Sequence, residues 1–191
     1  MSHFEPILDF WFGKPTDQNY GKPRRAWFIK STAFDQEIRQ TFSSDYQQAA
    51  AGKLNNWQEF PLSCLALIIL LDQFPRNLFR HQPQSFATDN LALQFAQYAI
   101  TNDFDQQLLP VQRWFIYLPF EHSENLEHQY QAVKLFSTLK KYPESGSTID
   151  YAQRHLQVIQ RFGRFPHRNR ILGRQSTAEE LEFLSQPGSS F

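Results

Sequence analysis

Apolar residues recur along most of this chain at the three- and four-residue spacing that is typical of amphipathic α-helices. Near the N-terminus, Phe4, Ile7, Leu8 and Trp11 fall on one helical face, and Gly13 then provides a stop signal. The same spacing, read between turn residues, predicts seven further helices over about residues 34–52, 61–73, 88–100, 111–118, 122–141, 148–161 and 176–184.

The segment from Pro61 to Gln73 is predicted to be the central helix. Proline suits the first turn of a helix, and an unbroken apolar run extends from Cys64 to Leu71. A β-strand is the alternative for such a run, but its length favours a helix that is buried on all sides. Because no segment indicates a series of strands, the sequence predicts an all-α fold, with the 191 residues in a single domain over 1–191.

Composition and charge narrow the classes of function. The chain has 19 basic and 19 acidic residues, whereas proteins that bind nucleic acid are usually basic. The single cysteine, Cys64, excludes an intrachain disulfide and a cysteine-cluster metal site. The N-terminus shows no signal peptide, and the longest apolar run is far shorter than the roughly 20 residues of a membrane helix. We therefore expect a cytoplasmic protein that binds neither nucleic acid nor membrane.

The most unusual charge distribution lies between Tyr151 and Arg174, where six arginines and two histidines occur without any aspartate or glutamate. The planar guanidinium is suited to carboxylate and phosphate groups. The ligand-binding candidates in this stretch are Arg161, Arg164, His167, Arg168, Asn169 and Arg174. The structural alternative is that these arginines pair with Glu121, Glu124 and Glu127 or cap helix C-termini.

A second polar motif spans residues 119–129. If residues 121–128 form a helix, then Glu121, Glu124 and His128 share one face. Glu121, His122 and Glu124 are the candidates for acid–base catalysis, and an internal ion-pair network is the alternative. No His-Glu-x-x-His or Glu-x-x-His pair occurs, so a metal site is disfavoured. The chain also lacks a phosphate loop, a dinucleotide fingerprint and a Gly-x-Ser-x-Gly elbow, so we expect no cofactor.

A third polar motif, Leu71 to Arg80, directly follows the apolar run. Asp72 would lie at the end of a buried helix, where an unpaired carboxylate is very costly. Arg76 and Arg80 are the nearest candidate partners in the sequence. These three residues either pair with one another structurally or face a ligand.

The three motifs resemble, in order and over nearly the whole chain, the bacterial family called domain of unknown function 924. They read Leu71-Asp-Gln-Phe-Pro-Arg-Asn, Leu118-Pro-Phe-Glu-His-Ser-Glu and Arg161-Phe-Gly-Arg-Phe-Pro-His-Arg-Asn. The resemblance implies an all-helical fold similar to tetratricopeptide-repeat superhelices, a stack of about eight to ten antiparallel helices. It supplies no activity and no cofactor. Its motif residues are polar, which favours a polar functional site, because residues needed only for packing are more often apolar.

Three hypotheses of function follow. The first is a binding protein with Arg76, Arg80, Arg161, Arg164, Arg168 and His167 around a positive pocket for a small anion or an acidic or C-terminal peptide. The second is an enzyme in which Glu121 or His122 is the general acid–base and the arginines stabilise an anionic substrate. The third is an interaction module without a small ligand. The first two require the distant motifs to converge on one cavity with surplus positive charge.

Overall fold

The computed structural model describes residues 3–189, and this range contains helices and no β-strand, which confirms the predicted all-α class. The α-helices of the described range are α1 Glu5–Phe12, α2 Thr32–Ala50, α3 Pro61–Asp72, α4 Phe74–Leu78, α5 Asp89–Thr101, α6 Pro110–Glu121, α7 Leu126–Ser137, α8 Gly146–Phe162 and α9 Ala178–Leu184. Short 3₁₀ turns, such as Pro83–Phe86 and Pro166–Arg168, lie in the connections.

Helix α3 is central, as its apolar sequence predicts. Every residue from Ser63 to Asp72 is buried, and the helix packs against α1, α2, α5 and α6. Farther along the chain, α6 packs on α7 and α7 packs on α8. The tetratricopeptide-like arrangement and the single-domain organisation stay predictions.

Aromatic side chains join the N-terminal helix to this core. The ring centroid of Trp11 lies 5.5 Å from that of Phe115 and 5.6 Å from that of Phe74. Such edge-on and tilted contacts are favourable because the positive edge of one ring meets the negative face of another. The indole nitrogen of Trp27 donates to the Trp11 carbonyl at 2.9 Å, so the long connection after α1 is held against the same core.

The segment around Pro119 differs from the sequence prediction. Helix α6 does not stop before Pro119 but continues to Glu121. Proline lacks an N–H, so in the last turn it costs one backbone hydrogen bond rather than the whole helix. A new helix then begins at Leu126, where the Asn125 side chain accepts from the N–H groups of residues 127 and 128 at 2.9 and 3.2 Å. The helix predicted over 122–141 is therefore present but shorter, Leu126–Ser137, and its predicted bounds are wrong.

This break has a consequence for the second polar motif. Glu121 ends α6, whereas His122 and Glu124 lie in the connection and His128 lies in α7. Glu121, Glu124 and His128 therefore do not share one face of a continuous helix. Near the C-terminus, the side chain of Thr177 caps α9. In the described residues, no helix has the length and apolar character needed to cross a membrane.

Candidate functional site

A cavity of about 190 Å³ lies where the first turn of α5, the end of α6 and the loop after α8 meet. We call it the His122 cavity. It is lined by Phe86, Asp89, Asn90, Leu93, Pro119, His122, Ser123, Glu124 and Arg168. Two of the three polar motifs supply lining residues, and the third places Asp72 directly behind His122. Parts of the three motifs therefore lie close together, although only two of them line the cavity.

His122 is oriented by a buried carboxylate at the end of α3. Its Nδ1 lies 2.8 Å from Oδ1 of Asp72, which has no exposed surface. The other oxygen of Asp72 accepts from the Gln73 amide at 2.6 Å, and Nη1 of Arg76 lies 3.6 Å from Oδ1. Because Nδ1 is engaged by Asp72, Nε2 is the ring nitrogen that a ligand in the cavity could reach.

The environment sets the protonation of this pair. Burial alone would raise the pKa of Asp72, but the charges of His122 and Arg76 and the hydrogen bonds from His122 and Gln73 lower it overall. Burial, followed by repulsion from Arg76, lowers the pKa of His122, although Asp72 partly offsets this. At neutral pH the pair is therefore an ionised Asp72 and a neutral imidazole that donates through Nδ1.

Arg168 lies in the wall of the cavity with an incompletely satisfied guanidinium. Arg168 is only 7% exposed, and its guanidinium carbon lies 4.7 Å from the Phe86 ring centroid and 4.5 Å from that of Phe165. The nearest acid, Asp89, lies 3.5 Å from Nη1, which is too long for a good hydrogen bond. Among residues 3–189, no acceptor hydrogen-bonds to its buried Nε. Burial lowers the pKa of Arg168 to about 10, so it stays charged at neutral pH.

The other two arginines near the cavity are paired. Arg76 donates to both oxygens of Asp89, at 2.9 and 3.2 Å. Arg174 donates to both oxygens of Glu124, at 2.7 and 2.9 Å. The three guanidinium groups in and next to the cavity are thus matched by three carboxylates, those of Asp72, Asp89 and Glu124. The surplus positive charge expected from the sequence is not seen there.

Four further candidates lie outside the cavity lining. Arg80 pairs with Asp35, Arg161 with Glu179 and Arg164 with Glu180. The Asn169 amide donates to Ser176 and Glu180, at 3.0 and 3.2 Å. In these positions the polar side chains hold loops and α9 in place. Their acidic partners are not the ones expected from the sequence, because Arg80 pairs with Asp35 rather than Asp72, and Arg161 and Arg164 pair with acids of α9 rather than with Glu121, Glu124 or Glu127.

Glu121 lies behind the cavity rather than in its wall. Its Oε1 is 3.1 Å from Nδ1 of the buried His155, whereas no residue in the described range hydrogen-bonds to its Oε2. Burial, together with the nearby charge of Asp72, raises the pKa of Glu121 to about 8. His167, whose pKa burial and then Arg168 lower to about 4, is electrostatically coupled to Glu124 and His122.

The comparisons with known proteins identify the family. The family model described as "Bacterial protein of unknown function (DUF924)" matches residues 7–188. The chain belongs to this family. A solved structure of a protein of unknown function from Agrobacterium tumefaciens is similar to the DUF924 chain, with a TM-score of 0.84 and 40% identity over 95% of this chain and 96% of that chain. A comparison with curated proteins found no match.

Sequence reasoning missed several lining residues of this DUF924 protein. Asp89 does not belong to any of the three polar motifs, yet it pairs with Arg76 and faces Arg168. Phe86 carried no signal. Ser123 lies in the second polar motif but was not singled out as a site residue, although it lines the cavity and its Oγ lies 2.9 Å from Nδ1 of His128. In the described part of the chain, no group of three or more His, Cys, Asp or Glu side chains is arranged to hold a metal ion.

Proposed function

We propose that this DUF924 protein binds a small molecule with an anionic group in the His122 cavity and that Arg168 anchors that group. The observation that carries the proposal is the buried guanidinium of Arg168, which lines the cavity with its Nε lacking an acceptor in the described residues. A buried charge without full hydrogen bonding is costly, and an anionic ligand would supply the acceptors. The N-terminal turn of α5 also lies at the cavity, and its dipole favours negative charge.

The size of the cavity supports a small ligand. Its volume of about 190 Å³ is below the range of roughly 300–1,000 Å³ that is typical of pockets for drug-sized molecules. An extended acidic peptide would need a longer groove, so a metabolite-sized molecule fits better. A cytoplasmic location, without a nucleic-acid or membrane partner, is part of this proposal.

Anion binding is tested by titrating the protein with acetate, propionate, inorganic phosphate and succinate, using calorimetry and thermal shift. We expect at least one anion to bind and to stabilise the fold. Arg168→Gln should weaken the binding of that anion about tenfold or more, because a hydrogen bond to a charged group contributes roughly 1.5–3 kcal/mol. Arg161→Gln is the matched control, since Arg161 makes an exposed ion pair away from the cavity. Equal affinity of the bound anion for wild type and Arg168→Gln contradicts the proposal.

A second candidate function is catalysis at the same cavity. It is favoured by the 2.8 Å contact between Asp72 and His122, because a carboxylate that orients an imidazole is a recurrent arrangement of general bases. In this function Arg168 holds the anionic substrate while Nε2 of His122 accepts a proton from it. Once a ligand is known, its consumption can be followed by NMR. His122→Gln should then keep binding and lose turnover, and persistence of the ligand with wild type contradicts catalysis.

A further inference from the structure

We propose that the ligand of the His122 cavity is a small zwitterion of the α-amino-acid type, with its carboxylate on Arg168 and its ammonium on Asp89. This inference rests on the anion site proposed above and adds the second charge of the ligand. It specifies a class of compound, an α-amino acid with a short uncharged side chain.

The charge balance around the cavity favours a ligand without net charge. Arg168, Asp89 and Glu124 line the cavity, and Arg76, Arg174 and Asp72 contact its lining residues from outside, which gives three guanidinium groups and three carboxylates. His122 and His167 are neutral at neutral pH because burial lowers the pKa of each. A ligand with net charge would leave an uncompensated charge next to Arg168 and Asp89, whose side chains are only 8% and 16% exposed, and this is costly. A zwitterion satisfies Arg168 and leaves the balance unchanged.

The positions of the two protein charges also match this class of ligand. Nη1 of Arg168 and Oδ2 of Asp89 are 3.5 Å apart, and both residues line the cavity. A simple carboxylate or phosphate on Arg168 would therefore lie close to the negative charge of Asp89. In an α-amino acid the ammonium and the carboxylate are attached to the same carbon, so both charges of the ligand can face opposite charges of the protein.

Asp89 retains capacity to accept such an ammonium. Each of its oxygens accepts one hydrogen bond from Arg76, and a carboxylate oxygen has two acceptor positions. Glu124 is less suited, because its Oε1 already accepts from both Arg174 and the backbone N–H of Phe165. Asp89 is therefore the acid that this geometry assigns to the ammonium.

The rest of the wall suits a short apolar side chain. Phe86, Leu93 and Pro119 line the cavity beside the charged residues. A charged side chain on the ligand would disturb the balance of charge, and a long one would exceed the volume of about 190 Å³. Alanine and valine are therefore suitable probes.

The test compares matched probes on the wild-type protein by calorimetry at neutral pH. L-Valine carries both charges, 3-methylbutanoate lacks the ammonium, and isobutylamine lacks the carboxylate; L-alanine, propionate and ethylamine form the smaller set. We expect the amino acid of at least one set to bind about tenfold or more tightly than its carboxylate, with the amine weakest. Binding of a carboxylate or of phosphate as tight as that of the amino acids overturns the zwitterion and leaves the anion site intact. Absence of binding by every amino acid, carboxylate and phosphate overturns both proposals.

Two variants test the ammonium contact and the carboxylate contact of the ligand separately. Asp89→Asn should weaken L-valine about tenfold without weakening 3-methylbutanoate, whereas Arg168→Gln should weaken both. Circular dichroism and a thermal melt establish that each variant is folded, and the comparison on wild type decides the question even where a variant is not. Equal loss of both probes in a folded Asp89→Asn protein contradicts the role of Asp89.

Discussion

At the scale of single residues, the buried charge of Asp72 connects α3 to the cavity. Its side chain is 1% exposed and contacts His122 and Arg76, so Asp72→Asn leaves the half-buried Arg76 with one acidic partner fewer and removes the charge that His122 faces. We expect a loss of about 3 kcal/mol in the free energy of unfolding at pH 7, measured by urea denaturation. Glu179→Gln, which breaks an exposed pair with Arg161, should cost less than about 1 kcal/mol. Equal losses in the two variants would show that Asp72 is not a structural charge.

Glu121 gives the protein a pH dependence with a definite sign. Its pKa is raised from 4.5 to about 8, so the folded state binds a proton that the unfolded state releases, and this contribution to stability is lost as pH rises towards and through 8. Glu121→Gln stays neutral at every pH. Its stability relative to wild type should therefore increase by about 2–4 kcal/mol between pH 5 and pH 9, measured by denaturant titration.

The matched control for this pH series is Glu37→Gln, an exposed substitution on α2. Its stability difference from wild type should stay within about 0.5 kcal/mol across the series. A pH-independent difference for Glu121→Gln would mean that Glu121 is ionised in the folded protein at neutral pH. The buried contact with His155 would then have to be a charged pair.

At the scale of elements, the start of α9 is set by a reciprocal capping box between Thr177 and Glu180. Thr177 Oγ1 accepts from the Glu180 N–H at 3.2 Å, and Glu180 Oε2 accepts from the Thr177 N–H at 2.8 Å. Thr177→Ala should lower the free energy of unfolding by about 1 kcal/mol, whereas Thr177→Ser keeps the hydroxyl and should change it little. Urea denaturation of both variants measures the difference, and equal stability would contradict this assignment of the cap.

Most helices could be predicted from the sequence because the apolar spacing and the residues at the helix ends indicate the same bounds. The predicted segment 61–73 is close to the observed α3, and the predicted segment 148–161 is close to α8, which ends at the left-handed Gly163. The failure near Pro119 has a local cause, because proline is a stop signal in a helix interior but is tolerated where few hydrogen bonds remain to be lost. The start of α7 at Asn125 could have been recognised from its capping residue.

At the scale of the whole molecule, charge segregation along the chain predicted few of the partners of the charges: Glu124 was among the acids expected for the arginines, whereas Asp35, Glu179 and Glu180 were not. Arg174 pairs with Glu124, 50 residues away in sequence, and Arg80 pairs with Asp35, 45 residues away. Which acid meets which arginine depends on how the helices pack, and periodicity within single helices contains no information about that. The candidate site could therefore be predicted as a set of motifs, whereas its charge balance and the roles of Asp89 and Phe86 required the structure.

The central position of α3 makes it the element on which the whole fold and the cavity depend. Ile68 has no exposed surface, and the helix that carries it ends at Asp72, directly behind His122. Ile68→Ala removes buried methyl groups and leaves a cavity, which typically costs about 2–5 kcal/mol. For a chain of this size that loss corresponds to a decrease of about 5–15 °C in Tm, measured by calorimetry.

Leu62→Ala, in the first turn of the same helix, is the control. Leu62 is 42% exposed, so the Tm of this variant should decrease much less. If both variants melted at the same temperature, α3 would not be the centre of the cooperative core, and the rigid placement of Asp72 behind His122 would lose its physical basis.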